Sequence, residues 1–177
     1  MVEPGATLSV SCRPERPGDV DAIRQITRDA FRGMPYADGT EHLIVDALRA
    51  QDELAVSVVA EWDGELVGHA AASLVTVTDG AAGWFGLGPV SVSPARQRRG
   101  VGSAVVRAVL ERLSRHGASG CVVVGDPAYY ARFGFASTPS MTYPDVPAEH
   151  FMALTLRPPT PSGIVTFSSA FSLAPDH

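Results

Sequence analysis

Apolar residues recur at helical spacing in three parts of the chain. In RPERPGDVDAIRQITRDAF, Asp19 is placed as an N-cap, and Val20, Ile23, Ile26 and Ala30 follow as one apolar face. Thr40 is the expected cap of a second helix, whose buried stripe is Leu43, Ile44, Ala47 and Leu48. A third helix starts near residues 99–102. Val101, Val105, Val106, Val109, Leu110 and Leu113 share one side of it, and Ser103, Arg107, Glu111 and Arg115 the other. On that polar side Glu111 can pair with Arg107 and Arg115 at one-turn spacing. The stretch DPAYYARFGF has room for no more than two turns.

Between these helices the pattern changes to strand-like runs. TLSVSC alternates like a first strand. LAVSVVAEW and ELVGHAAASLVTV flank Asp63-Gly64, a pair suited to a tight hairpin turn. WFGLGPVSV reads as a strand, yet it contains Gly86, Gly88 and Pro89. Proline has no N–H for a ladder, so the strand is expected to bulge or part from a neighbour there. CVVVG reads as a buried strand, and FMALTL and IVTFSSAF are expected to close the chain as a hairpin around RPPTPSG. The resulting order is strand, two helices, three strands, helix, strand, helix, two strands. That order predicts an α+β or mixed α/β layer with helices covering a sheet.

Composition narrows the classes. A chain of 177 residues with 45% apolar and 19% charged content reads as one soluble globular domain over residues 1–177. The net charge of −5 argues against nucleic acid as the main partner. Cys12 and Cys121 lack metal spacing and read as free thiols in a reducing compartment. No metal is expected. MVEPGATLSV has neither a basic start nor a long apolar stretch, and no apolar run reaches membrane-spanning length. The expectation is a cytoplasmic protein without a membrane partner.

Against that acidic background SPARQRRGVGSA stands out. It sets Arg96, Arg98 and Arg99 beside Gly100 and Gly102, between a strand and a helix. The first turn of a helix has unpaired N–H groups and about half a positive charge from the dipole. Glycines there let an oxygen come close to the backbone, and arginines add a cationic rim. The ligand should therefore be an anion, with phosphate the leading class. Neither the G-x-x-x-x-G-K-[ST] loop of nucleotide triphosphatases nor the G-x-G-x-x-G turn of dinucleotide folds is present. A solvated basic turn that merely starts a helix is the plain alternative.

Gln97, Gly100 and Gly102 form Q-x-x-G-x-G after VSV on a Gly/Pro-broken strand, and YYARFGF follows downstream. With GDPAYYARFGF and FMAL…GIVTFSSAF, the chain resembles the GNAT superfamily of acetyl-CoA-dependent N-acetyltransferases from RPERPGDVDAI to SSAF, and within it a YhbS-type bacterial branch. The resemblance implies a central mixed sheet of about six or seven strands, parted at the fourth strand and covered by about four helices. It implies acetyl-CoA as co-substrate, with Gln97, Arg98, Arg99, Gly100, Val101, Gly102 and Ser103 around its pyrophosphate. Val90, Ser91 and Val92 would meet the pantetheine arm, and an N–H of Val90 or Val92 would polarise the thioester carbonyl. Tyr130, four residues before Gly134, would protonate the departing sulfur. Its plain alternative is that Tyr129 and Tyr130 pack the short helix.

Many members carry an Asn before this helix, where GDPAYY offers Asp126 as a cap and Pro127 as first helical residue. The Asn role is not carried over. No carboxylate lies on WFGLGPVSV, so the general base is left open among Glu41, Asp79, His69 and water. Cys121 reads as a core residue. The activity implied is direct transfer of an acetyl or short acyl group to a primary amine of a small molecule or polypeptide, by a monomer or homodimer. A CoA-binding sensor or interaction module without catalysis is the competing class, and an RNA-binding loop a weaker third.

Overall fold

The computed structural model describes residues 10–173. Strands are β1 (Ser11–Pro14), β2 (Leu54–Trp62), β3 (Glu65–Leu74), β4 (Thr76–Val77), β5 (Trp84–Val92), β6 (Gly120–Val124), β7 (Met141–Thr142), β8 (Phe151–Thr155) and β9 (Gly163–Thr166). Helices are α1 (Val20–Phe31), α2 (Glu41–Ala50), α3 (Val101–Arg115) and the single turn α4 (Pro127–Tyr130). Six strands form one mixed sheet in the order β1-β2-β3-β5-β6-β8, and β4, β9 and β7 form a second, smaller one.

The β2–β3 hairpin turns at Asp63-Gly64, both with positive φ (52° and 77°), as a mirror-image turn requires. Along β2, Val58 and Ala60 join the cluster under α3, whereas Val59 packs with Ile23 of α1 and Val45 of α2. Alternate residues of a strand point to opposite faces, so α1 and α2 cover one side of the sheet and α3 the other. Val101, Val105, Val106 and Val109 are fully buried, each worth roughly 1.5–3 kcal/mol of transfer energy. Gly68 lets α3 lie close to the sheet, since a Cβ there would sit 2.8 Å from Val101 Cγ1. That close approach fixes where the first turn of α3 stands relative to β5.

Several expectations are corrected by long-range pairing. FMALTL and IVTFSSAF do not form a hairpin: β8 pairs with β6, and β9 with β4 and β7. Pro158, Pro159 and Pro161 cannot donate to a ladder, and the N–H groups of Leu156 and Arg157 instead donate to Ser119 O at 2.9 Å. The long ELVGHAAASLVTV run is divided between β3 and β4, so the parted strand is fifth in chain order. The first strand is described only from Ser11, and Thr7–Ser9 of the expected TLSVSC strand lie outside the described residues.

Asp19 does not cap α1 with its side chain. Its carboxylate is taken by the Arg13 guanidinium at 2.7 and 3.0 Å and by the Arg16 N–H, which hold it below the usual carboxylate range. The Thr40 hydroxyl likewise turns to Asp38 rather than to its helix. Asp126 does cap α4, accepting from Ala128 N–H at 3.0 Å. On α3, Glu111 pairs with Arg115, whereas the Arg107 guanidinium lies 5.1 Å from the Phe133 ring centre.

Candidate active site

A gap in the main sheet begins the site. β5 and β6 pair in parallel from Trp84–Gly120 to Leu87–Val123 and no further. On its other side β5 stays paired with β3, but three steps from Leu87 to Val90 oppose two from Ala72 to Ala70. The additional residue is accommodated at Gly88-Pro89, where the strand bulges away from β6. Beyond it the Ser93 N–H donates to Val67 O at 2.8 Å. In an antiparallel ladder alternate residues turn both backbone groups to the same neighbour. Ser91 therefore faces β3, and Val90 and Val92 turn their backbone groups into the gap.

The loop after β5 brings α3 to the mouth of this gap. Arg98 adopts a left-handed conformation (φ 61°), as does Gly100 at the N-cap (φ 84°). A non-glycine residue there is held at a cost of order 1–3 kcal/mol. No side chain caps α3, so its first N–H groups have no intrahelical partner. Gln97 braces the junction by donating from Nε2 to Val92 O at 3.2 Å.

A cleft of about 590 Å³ joins these parts. Val90, Val92, Gln97, Arg98, Gly100, Gly102 and Ser103 line it, as does Tyr130. The side chains of Ser91, Arg99 and Val101, also expected at the site, do not line this cleft. The Ser91 side chain is buried, the Val101 side chain belongs to the core under α3, and the Arg99 guanidinium lies 6.0 Å from the Trp62 ring centre. Tyr129 and Arg132 line the cleft too, as do Ala30, Phe31, Met34 and Tyr36 from the end of α1 and its loop. Sequence reasoning treated Tyr129 only as the neighbour of Tyr130. It located no residue of α1, because a helix end carries no local sign of the strand gap it borders. A second cleft of about 460 Å³, with Arg28, Glu41 and His42 in its wall, shares Phe31 and Met34 with the first.

The two tyrosines occupy different parts of the main cleft. A Cβ added to Gly102 would lie 2.6 Å from the Tyr129 hydroxyl, and Ser103 stands near the same hydroxyl. The guanidinium of Arg132 stacks 4.6 Å from the Tyr129 ring centre. Tyr130 sits by the end of β6, where a Cβ on Gly125 would meet its ring at 2.5 Å, and packs against Phe133 and Phe135. Burial, with smaller contributions from Tyr129, Tyr36 and Cys121, raises the Tyr130 phenol well above its ordinary value. It remains a proton donor throughout the neutral range.

Of the residues considered as a base, Asp79 accepts from Ala81 and Ser162 N–H groups at 2.8 and 2.9 Å and ties β4 to β9. Glu41 accepts from the Asp38 N–H at 3.0 Å in the wall of the second cleft. His69 is fully buried on β3 with Nε2 2.8 Å from Ser57 Oγ. Burial, then the charge of Arg49, lowers it from its ordinary 6.5 to about 3. The unfolded chain takes up a proton that the folded ring refuses, so stability is complete above about pH 6.5 and falls as pH drops towards 3. Chemical denaturation at pH 7.0 and 5.5 should show a loss of about 1 kcal/mol that His69→Gln lacks. An unchanged pH dependence in that variant would place the titration elsewhere.

The uncapped start of α3 and the opened edge of β5 thus face one cleft. The acetyltransferase (GNAT) family model matches residues 20–135, and the chain belongs to that family. It is 33% identical over 124 residues to the uncharacterised N-acetyltransferase YhbS of Escherichia coli, covering 70% of this chain and 71% of that protein. A GNAT family acetyltransferase of Brucella melitensis, solved with acetyl-CoA, superposes with a TM-score of 0.82 at 44% identity, covering 93% and 99% of the two chains. The E. coli YhbS structure with CoA gives a TM-score of 0.87 at 26% identity and 97% coverage of both. No group of three metal-ligating side chains is assembled among the described residues, and none of their helices is long and apolar enough to cross a membrane.

Proposed function

We propose that the chain is one catalytic domain that moves an acetyl or short acyl group from acyl-CoA directly to a primary amine of a small molecule or polypeptide. One observation carries the reading: the unpaired edge of β5 and the uncapped start of α3 open into the same cleft. The residues fit coenzyme A at both places, for Gly100 and Gly102 leave the helix start bare and Val90 and Val92 present backbone groups that no strand uses. Bound there, acetyl-CoA supplies an activated acyl group.

The N–H groups of Val101, Gly102 and Ser103 hold the pyrophosphate, with Gln97, Arg98 and Arg99 shaping and charging the loop around them. Val90 and Val92 hydrogen-bond the pantetheine arm as a further strand would. One of their N–H groups also donates to the thioester carbonyl as negative charge develops on its oxygen. Ser91 supports this edge from behind by keeping β5 in register with β3. Tyr130 donates its proton to the departing sulfur. The acceptor reaches the gap past Phe31, Met34 and Tyr36, where the second cleft adjoins. Nucleic acid and membrane are not partners in this reading. The protein works in the cytoplasm, as a monomer or homodimer.

Acetyl-CoA at 100 times its dissociation constant should stabilise the fold by about 2.7 kcal/mol and raise Tm accordingly. Release of free CoA thiol in the presence of primary amines then separates an enzyme from a CoA-binding sensor. No thermal shift at millimolar acetyl-CoA would overturn the reading, and binding without turnover would leave the sensor.

A further inference from the structure

Three arginines spaced four residues apart run along the end of α1: Arg24, Arg28 and Arg32. Arg24 is neutralised by Asp21 at 3.0 Å and by Asp46 at 2.8 Å, and Arg32 by Asp29 at 3.1 Å. Arg28, between them, makes no ion pair among the described residues. An exposed arginine without a partner is ordinary in itself. What sets Arg28 apart is its place, in the wall of the second cleft with Arg32, Glu41 and His42. Phe31 and Met34 belong to the walls of both clefts, so the two meet at an apolar boundary.

His42 reaches this cleft from the first turn of α2 and is half-buried. Burial, then the charge of Arg28, holds its imidazole below the ordinary 6.5. The other charges near it are Arg24 on α1 and Glu41 and Asp46 on α2. The ring is therefore uncharged at neutral pH and offers one N–H donor. Asp46 is already taken by Arg24 and Arg49. Glu41 accepts from the Asp38 N–H at 3.0 Å, at the start of α2 where the helix dipole favours a carboxylate. The cleft thus leaves free a forked cation and a neutral N–H. That pair suits a carboxylate, which takes a guanidinium through two parallel hydrogen bonds. The cations of the main cleft are engaged elsewhere. Arg98 lies in the loop before α3, and Arg132 stacks on Tyr129 beside it.

We propose that the acceptor is a small amino carboxylate, whose amine enters the gap beside β5 while Arg28 and His42 hold its carboxylate in the second cleft. This rests on the acetyltransferase reading and names the substrate class that reading leaves open. An apolar chain between the two groups passes over Phe31 and Met34. An α-amino acid, with both groups on one carbon, is too short to serve both clefts. Arg28 and His42 form no covalent bond and exchange no proton in the transfer. They decide which amines are held there.

The experiment measures CoA thiol release with straight-chain ω-amino carboxylates, from β-alanine to 8-aminooctanoate. Alkylamines and α,ω-diamines of the same lengths, glycine, and peptides with free N-termini are run alongside. The chain contains no lysine, so no thiol release comes from its own lysine side chains. The best amino carboxylate should exceed the alkylamine of equal length about 10- to 100-fold in kcat/KM, chiefly through KM. Arg28→Ala, a change at an exposed position, should bring that ratio to about 1. Arg28→Lys should restore part of it, because the charge returns without the fork. A second readout needs no turnover. Added with CoA, 6-acetamidohexanoate should raise the pH at which the His42 ring protons titrate, since its carboxylate offsets the charge of Arg28. Arg28→Ala should lack this response, and His42→Gln identifies the resonance. Equal use of alkylamines, a preference for peptides or for diamines, an unaltered ratio in Arg28→Ala, or an unmoved His42 titration overturns the carboxylate site alone. A wild type that binds acetyl-CoA yet acetylates none of these amines overturns the enzyme reading and this proposal with it.

Discussion

Gly102→Glu should remain folded and lose acetyl-CoA affinity by at least about 100-fold, a cost of about 2.7 kcal/mol. Two effects act together. A Cβ at this position crowds the hydroxyl end of Tyr129, at 2.6 Å, and meets Val92 Cγ2 at an ordinary 3.5 Å. That end can swing away, so the helix itself is not forced apart. The added carboxylate, however, stands at the uncapped start of α3, where the first-turn N–H groups would otherwise face a phosphate oxygen. Gly102→Ala separates space from charge and should cost far less. Gly100→Glu differs again: nothing lies within 4 Å of a Cβ there, but φ is +84°, so part of its effect is backbone strain of about 1–2 kcal/mol. Titration calorimetry on the three variants, with circular dichroism as the folding check, distinguishes these contributions. Unchanged affinity in a folded Gly102→Glu protein would remove the α3 start from the binding site.

Tyr130→Phe should lower kcat about 10²–10⁴-fold while leaving folding and acetyl-CoA affinity nearly intact. The ring packs against Phe133 and Phe135 and lies along Gly125, and phenylalanine keeps those contacts. Only the hydroxyl is lost. Because burial raises the phenol above its ordinary range, wild-type kcat should show no decline from loss of this acid up to about pH 10. Tyr129→Phe should behave oppositely. Its hydroxyl stands at Gly102 and Ser103, so the expected loss is in acetyl-CoA affinity rather than kcat. Steady-state kinetics at saturating and limiting acetyl-CoA test both. A kcat loss larger in Tyr129→Phe than in Tyr130→Phe would transfer the donor role to Tyr129.

The sequence by itself determined the elements whose causes are local. Periodicity gave α1, α2 and α3, and the faces they bury, because apolar spacing and helix geometry share one period. Asp63-Gly64 placed the β2–β3 turn through backbone freedom alone. Gly88 and Pro89 indicated a strand that could not stay paired, and the Arg/Gly loop indicated an anion, since both follow from the absence of a side chain or an N–H. Partners distant along the chain were decided only by the tertiary structure. β8 and β9 joined different sheets, because pairing depends on which edges remain free once the sheet is built. Asp19 and Thr40 looked like caps, yet Arg13 and Asp38 competed for them more strongly. The cleft combines the end of α1, the edge of β5, the start of α3 and the turn after β6, four segments with no common local signal. Ser91 shows the division most clearly. Its sequence position next to Val90 and Val92 placed it on the cleft, but strand alternation turned it to the other face, opposite His69. Which face meets which helix is settled by packing, and packing is not written in any single stretch of chain.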